Sequence, residues 1–285
     1  MAERSSAFET GPQHGQPPES PLFLERLHRA LHRWNVRRHR PDLPTRRWRD
    51  ELEEDLRMRT LEGEWIEAER SVLAGQAREV PRMPDAFAGW LEALSLQGPG
   101  RRDSLLEWIA ERASLDQVQW FLEQELVTEA GLDVLVALTR LRVSSWRVGE
   151  SSWSGTPFGR SPRLESAGPD TLWEALAVSN LVVGLASNRR YTWHALGALA
   201  AAELTARDRA APVDRALRRH GVGSAAGAEV RTDRVCDALV PLLEEDPDRA
   251  PFLAEGALLR LRAGLRCVRR YRSELGVRGS ETGAD

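Results

Sequence analysis

Between Tyr191 and Glu203 the chain reads YTWHALGALAAAE. Ala195, Gly197, Ala198, Ala200, Ala201 and Ala202 are all small. A helix with so little side-chain bulk lets its neighbours come very close, so the segment predicts a central, tightly packed helix. Its apolar run ends at Glu203, a carboxylate that needs a partner or a raised pKa if it is buried. One such partner is Arg207, one helical turn further on.

The rest of the chain extends this helical reading. Leu22, Leu24, Leu27 and Leu31 recur at helical spacing, and Leu52, Leu56 and Leu61 do so less regularly. Breaks are expected at Pro41–Pro44, at Pro81–Pro84 with the short helix of Trp90 and Leu91 after it, at Gln97–Gly100, and at Gly221–Gly227. Ser104 to Ala113 and Leu115 to Leu141 read as long helices. No helix runs through the whole of residues 144–169, which are rich in Ser and Gly. Helical pattern returns at Asp170, the expected N-cap. The last helix is expected from about Pro251 to Leu275. Its apolar stripe is Leu258, Leu261, Leu265 and Val268, and its arginines are expected to face water. Few segments alternate with period two, so the fold class is all-α.

Residues 1–20 are rich in Ser, Pro, Gly and Glu and are expected to form a disordered tail. One all-α domain follows over 21–275, with an N-terminal helical extension at 21–100 and a core at 101–275. Residues 276–285 are expected to be flexible. All 40 Lys/Arg positions are arginine, which excludes lysine chemistry such as a Schiff base or a P-loop. Net charge is −3, so no global basic field draws the chain to nucleic acid. Cys236 and Cys267 form no CxxC pair, so neither a disulfide framework nor a Cys-rich zinc site is expected. With no apolar signal core and no run of 18 apolar residues, the chain is expected to be cytoplasmic and free of membrane spans.

Of the six histidines, His28 and His32 stand one turn apart amid Arg26, Arg29 and Arg33, and are expected as a surface pair. His194 is expected in the core or at a pocket edge. Nine arginines between Arg26 and Arg49 precede Glu51, Glu53, Glu54 and Asp55, which predicts a salt-bridged face between helices. Most of the ten tryptophans are expected to anchor helix packing.

Three stretches carry a family resemblance: Trp120 to Leu141, Leu172 to Glu203, and Val240 to Leu275. They resemble the heme-oxygenase-like iron-containing redox enzymes, whose members bind two non-heme irons inside a helical bundle. The resemblance covers about residues 104–275. It implies a heme-oxygenase-like bundle of about seven core helices with additional N-terminal helices. The family's first ligand helix carries FLxxE, and Glu125 of FLEQE takes that place, with Glu129 and Asp133 as flanking acids. Glu203 resembles the acid that closes the family's central helix near the metal pocket.

The remaining ligand positions depart from the family. Its YWDExGxG segment appears as Ser152-Trp153-Ser154-Gly155. The expected Glu falls on Gly155, and the following His falls on Glu165. No HxxxDxxH is present. One alignment puts Glu229, Asp233 and Cys236 in its three places, and another puts Gly223, Gly227 and Val230 there. Ferrous iron in such sites is held by imidazole with carboxylate, so a set of acids suits Mn or Mg better.

The candidate metal ligands are therefore Glu125, Glu165, Glu203, Glu229 and Asp233, and the candidate catalytic residue is His194, placed near substrate. The implied cofactor is non-heme iron, or none. The implied activity is O₂-dependent oxidation of a small amine, amino acid or fatty-acid-like substrate in specialised metabolism. Two alternatives stay open. One is a non-catalytic relative that binds a small molecule or a protein, and the other is cofactor-free oxidation. The fold analogy implies a homodimer through helix faces.

Overall fold

The computed structural model describes residues 20–39, 48–97, 99–142, 164, 167–206, 210–222 and 233–277. Ten α-helices follow in chain order: α1 Pro21–Arg38, α2 Trp48–Arg78, α3 Pro84–Gln97, α4 Pro99–Arg112, α5 Leu115–Arg142, α6 Trp173–Ser187, α7 Thr192–Ala206, α8 Ala210–Arg219, α9 Asp233–Glu245 and α10 Ala250–Glu274. No strand occurs among the described residues. The predicted breaks near Pro81–Pro84, Gln97–Gly100 and Gly221 fall between helices. Gly221 has φ of 72°, a left-handed turn that an L side chain rarely adopts.

All ten helices contribute to one apolar cluster, through residues such as Leu31, Ile66, Phe121, Val178, Leu196 and Leu253. α7 lies at its centre, buried continuously from His194 to Leu204. A Cβ on Gly197 would collide with the main-chain carbonyl of Leu253, and one on Gly256 with that of His194. The two pairings run in opposite senses, so α7 and α10 are antiparallel, and they touch through backbone. The small-residue run of α7 makes that approach feasible.

α5 and α6 pair in the other sense. Gln124 Oε1 accepts from the Leu172 amide at 2.9 Å, and Gly131 packs against the Ser179 backbone and Val182. The constant offset makes the helices parallel. Gln124 also corrects the expected cap. Leu172, not Asp170, is the N-cap of α6 and makes no side-chain cap bond. Asp170 stands exposed in a turn just before it, where the Gly168 amide donates to Thr171 Oγ1 at 2.9 Å.

The N-terminal helices bury against this core. α1 lies parallel to α6. Asn35 Nδ2 donates to Asn180 Oδ1 at 3.0 Å, Asn180 Nδ2 donates to the His28 carbonyl at 2.9 Å, and His39 meets Ser187 at 3.1 Å. Two arginines of the basic stretch, Arg37 and Arg38, pair with acids of α2. Arg37 pairs with Glu54 at 2.6 Å, the largely buried Arg38 with Glu62 at 3.2 Å, and Trp34 Nε1 donates to Asp55 at 3.0 Å.

Candidate functional site

α10 turns a polar stripe inward. Arg260, Gly264, Cys267 and Tyr271 recur at helical spacing, and of the four only Gly264 is not buried. The expectation that the arginines of this helix face water fails at Arg260, the only arginine in the buried class among the described residues. Opposite the stripe, the Tyr271 ring meets Trp120 and Phe121 edge-on at 5.8 and 5.4 Å. Glu125, one turn beyond Phe121, is buried. Cys267 is a free, buried thiol. Burial pushes its pKa far up, and the Glu125 and Glu174 charges add to this, against Tyr271 and Arg260. That thiol is not a nucleophile. It marks a charged interior shared by α5, α6 and α10.

Glu174 opens α6 beside this interior. Burial raises its carboxyl, and a backbone hydrogen bond together with the Arg270 guanidinium, 3.9 Å away at the rim, only partly offsets that. Further along α5, Glu129 is also buried. The Asp133 carboxyl is pushed up to about 7 by burial and by the Glu129 charge. Glu203 is buried near the end of α7. Glu165, Glu229 and Arg207 lie outside the described residues, as do the side chains of Asp233 and Cys236.

His194 occupies a second polar network, where α2, α7 and α10 meet. Glu255 Oε2 accepts from His194 Nε2 at 2.9 Å and from Arg70 at 2.7 Å. Arg70 also pairs with Glu67 at 2.9 Å, and Glu67 accepts from the Tyr191 hydroxyl at 2.6 Å. The carboxylate fixes the hydrogen on Nε2 and leaves Nδ1 buried without a partner. The His194 ring is held edge-on between Tyr191 and Phe252. Glu255 and Arg70 were invisible to sequence reasoning, because nothing local links positions so far apart in the chain.

His28 and His32 are not a surface pair. Both are buried. His28 stacks on Trp173 at 5.6 Å and meets Trp65 edge-on at 4.6 Å. Burial, with the nearby Arg266 charge, lowers its pKa to about 3, so the ring is neutral. His32 Nε2 bonds the Leu164 carbonyl at 2.9 Å.

Residues 155–229 match the sequence model of a family described as iron-containing redox enzyme, of the haem-oxygenase type. The chain resembles that family. The match spans α6, α7 and α8 and so takes in Glu174, His194 and Glu203. No curated protein and no solved structure matches the chain.

The family's iron can be tested against the residues present. Among the described residues, no group of three or more His, Cys, Asp or Glu side chains is placed to hold a metal ion. His28 is clasped by two indoles and His194 is bound to Glu255, so neither imidazole is grouped with the buried acids as a ligand. The described donor set does not fit a two-iron centre. No helix among the described residues is long and apolar enough to cross a membrane.

Proposed function

We propose that this chain is a divergent relative of the iron-containing redox enzymes whose bundle binds an organic small molecule without a two-iron centre in the described core. The observation that supports this is the donor set. The buried acids share the interior with a guanidinium, and the three imidazoles buried among the described residues are engaged by aromatic rings, by the Leu164 carbonyl or by Glu255. Reactive ferrous sites need imidazole beside carboxylate. The proposed setting is cytoplasmic, the proposed partner is a small ligand rather than nucleic acid, and the proposed assembly is a homodimer through helix faces.

The family match favours one second reading: O₂-dependent oxidation of a small amine, amino acid or fatty-acid-like substrate. In it, Glu125 and Glu203 contribute carboxylates, Glu165, Glu229 and Asp233 complete the ligand set, and His194 lies near substrate.

Anaerobic titration with Fe(II), followed by O₂ in a stopped-flow spectrophotometer, separates the two. Uptake of about two irons per chain, as in di-iron carboxylate bundles, with a transient visible absorption after O₂, overturns the first reading and establishes the second. No uptake above an albumin control, with a small molecule released from the purified protein on denaturation, supports the first.

A further inference from the structure

Glu125 and Glu129 on α5 and Glu203 on α7 are all buried, and Arg260 is the only arginine in the same class among the described residues. Each of these four side chains has an interaction within the fold. A buried carboxylate that stays ionised requires a nearby positive charge, because losing its hydration costs several kcal/mol. In iron-containing relatives a metal supplies such charge. Here the interior contains a fixed cation.

The position of that cation is defined. Arg260 Nη1 lies 2.8 Å from where a Cβ on Gly264 would stand. The guanidinium therefore folds along α10 towards its C-terminal half, over a residue that has no side chain to block it. That direction leads to Cys267 and Tyr271. Tyr271 packs on Phe121, one turn before Glu125. Arg260 and Glu125 thus approach the same volume from opposite helices. The Cys267 thiol lies in that volume and feels both charges, with opposite sign.

We propose that Arg260 is the internal counter-cation of Glu125, held in place by the missing side chain of Gly264. A guanidinium keeps its proton at any physiological pH, so its charge is permanent. A divalent ion arriving at Glu125 would meet that charge at short range. The ion pair therefore stabilises the interior and keeps metal from the one acid that matches the family's first ligand. This rests on the reading that the described core assembles no iron centre, but its test does not require iron.

The test is a double-mutant cycle on the full-length protein, with equilibrium urea denaturation of Arg260→Met, Glu125→Gln and the double variant. The expected result is strong coupling. Arg260→Met raises the unfolding constant by about 100-fold or more, and Glu125→Gln in the same chain reverses most of that loss. If the two effects add to within about twofold, the pairing is overturned. Should Arg260→Met fail to fold, Gly264→Ala takes its place, since its new methyl displaces only the flexible end of Arg260. Loss of stability in Gly264→Ala that vanishes in the Glu125→Gln background supports the pair, and equal loss in both backgrounds overturns it. Iron uptake by the wild-type protein alongside strong coupling would sink the iron-free reading and the metal-excluding role, and leave only the pair standing.

Discussion

The main-chain carbonyl of His194 fills the space that a side chain on Gly256 would need. One turn away, the Leu253 carbonyl does the same to Gly197. Both obstacles are backbone, which cannot swing aside as a flexible side chain can. Gly256→Ala and Gly197→Ala are therefore expected to cost about 3 kcal/mol or more each, seen as a lower urea midpoint. Gly63→Ala in α2, where nothing lies within 4 Å, is the control and should gain about 0.5–1 kcal/mol from helix propensity. Equal behaviour of the control and Gly256→Ala would show that α7 and α10 do not cross as described.

Glu255 serves two donors with one oxygen, His194 Nε2 and Arg70. Glu255→Gln keeps the shape but removes the charge and leaves the Arg70 guanidinium short of a carboxylate. A loss of about 2–4 kcal/mol is expected. Arg70→Met in the same chain should recover part of it, measured by denaturation of both variants. No recovery would mean that the two residues act independently.

His28 makes the fold sensitive to acid. Its pKa of about 3 in the bundle lies below the ordinary 6.5 of the unfolded chain. Between those values the unfolded state binds the proton and the folded state does not. Stability is thus intact above pH 6.5 and falls as pH drops towards 3. From pH 7 to 5 the loss is expected to be on the order of 2 kcal/mol. His28→Phe, placed between the same two indoles, should flatten that slope in a pH series of urea melts. An unchanged slope would mean that His28 is protonated in the folded protein.

Asp133 acts in the opposite sense. Its carboxyl titrates at about 7 in the fold, against an ordinary 3.8. The folded state holds the proton through that window, so stability falls as pH rises from 3.8 to 7 and is lowest above it. Asp133→Asn should match the wild type at pH 4 and exceed it at pH 8 by on the order of 2 kcal/mol. Equal stability at both pH values would mean that the carboxyl is ionised normally.

The helices were legible because apolar residues recur with the helical period. The run of small residues in α7 also announced its central place. The last helix was expected from about Pro251 to Leu275 and spans Ala250–Glu274. The polar interior was less legible. His28 and His32 were expected at the surface because arginines flank them, but adjacent helical residues face different directions. Arg29 and Arg33 can reach solvent while His28 and His32, each just before one of them, turn inward. Arg260 stood in a row of arginines, and nothing in the row marks the one that points at α5. The start of α6 was placed two residues early because its amide is satisfied by Gln124, a side chain from another helix. Of the five expected ligands, the structure describes the side chains of Glu125 and Glu203, both buried but not part of a metal-holding group.

The parallel pairing of α5 with α6 has a kinetic consequence. Antiparallel helices joined by a tight turn can zip together as soon as they form. Residues 143–172 separate the end of α5 from the start of α6 in the sequence, and Gly131 seats against Ser179 only once these distant parts of the chain have met. Closing a loop of that length costs about 3 kcal/mol of chain entropy before any contact repays it. Single helices form in about a microsecond, so that search is the slower step. Glu125 becomes buried only after distant parts of the chain have met, and a nascent chain still lacking α10 would expose that carboxylate to water.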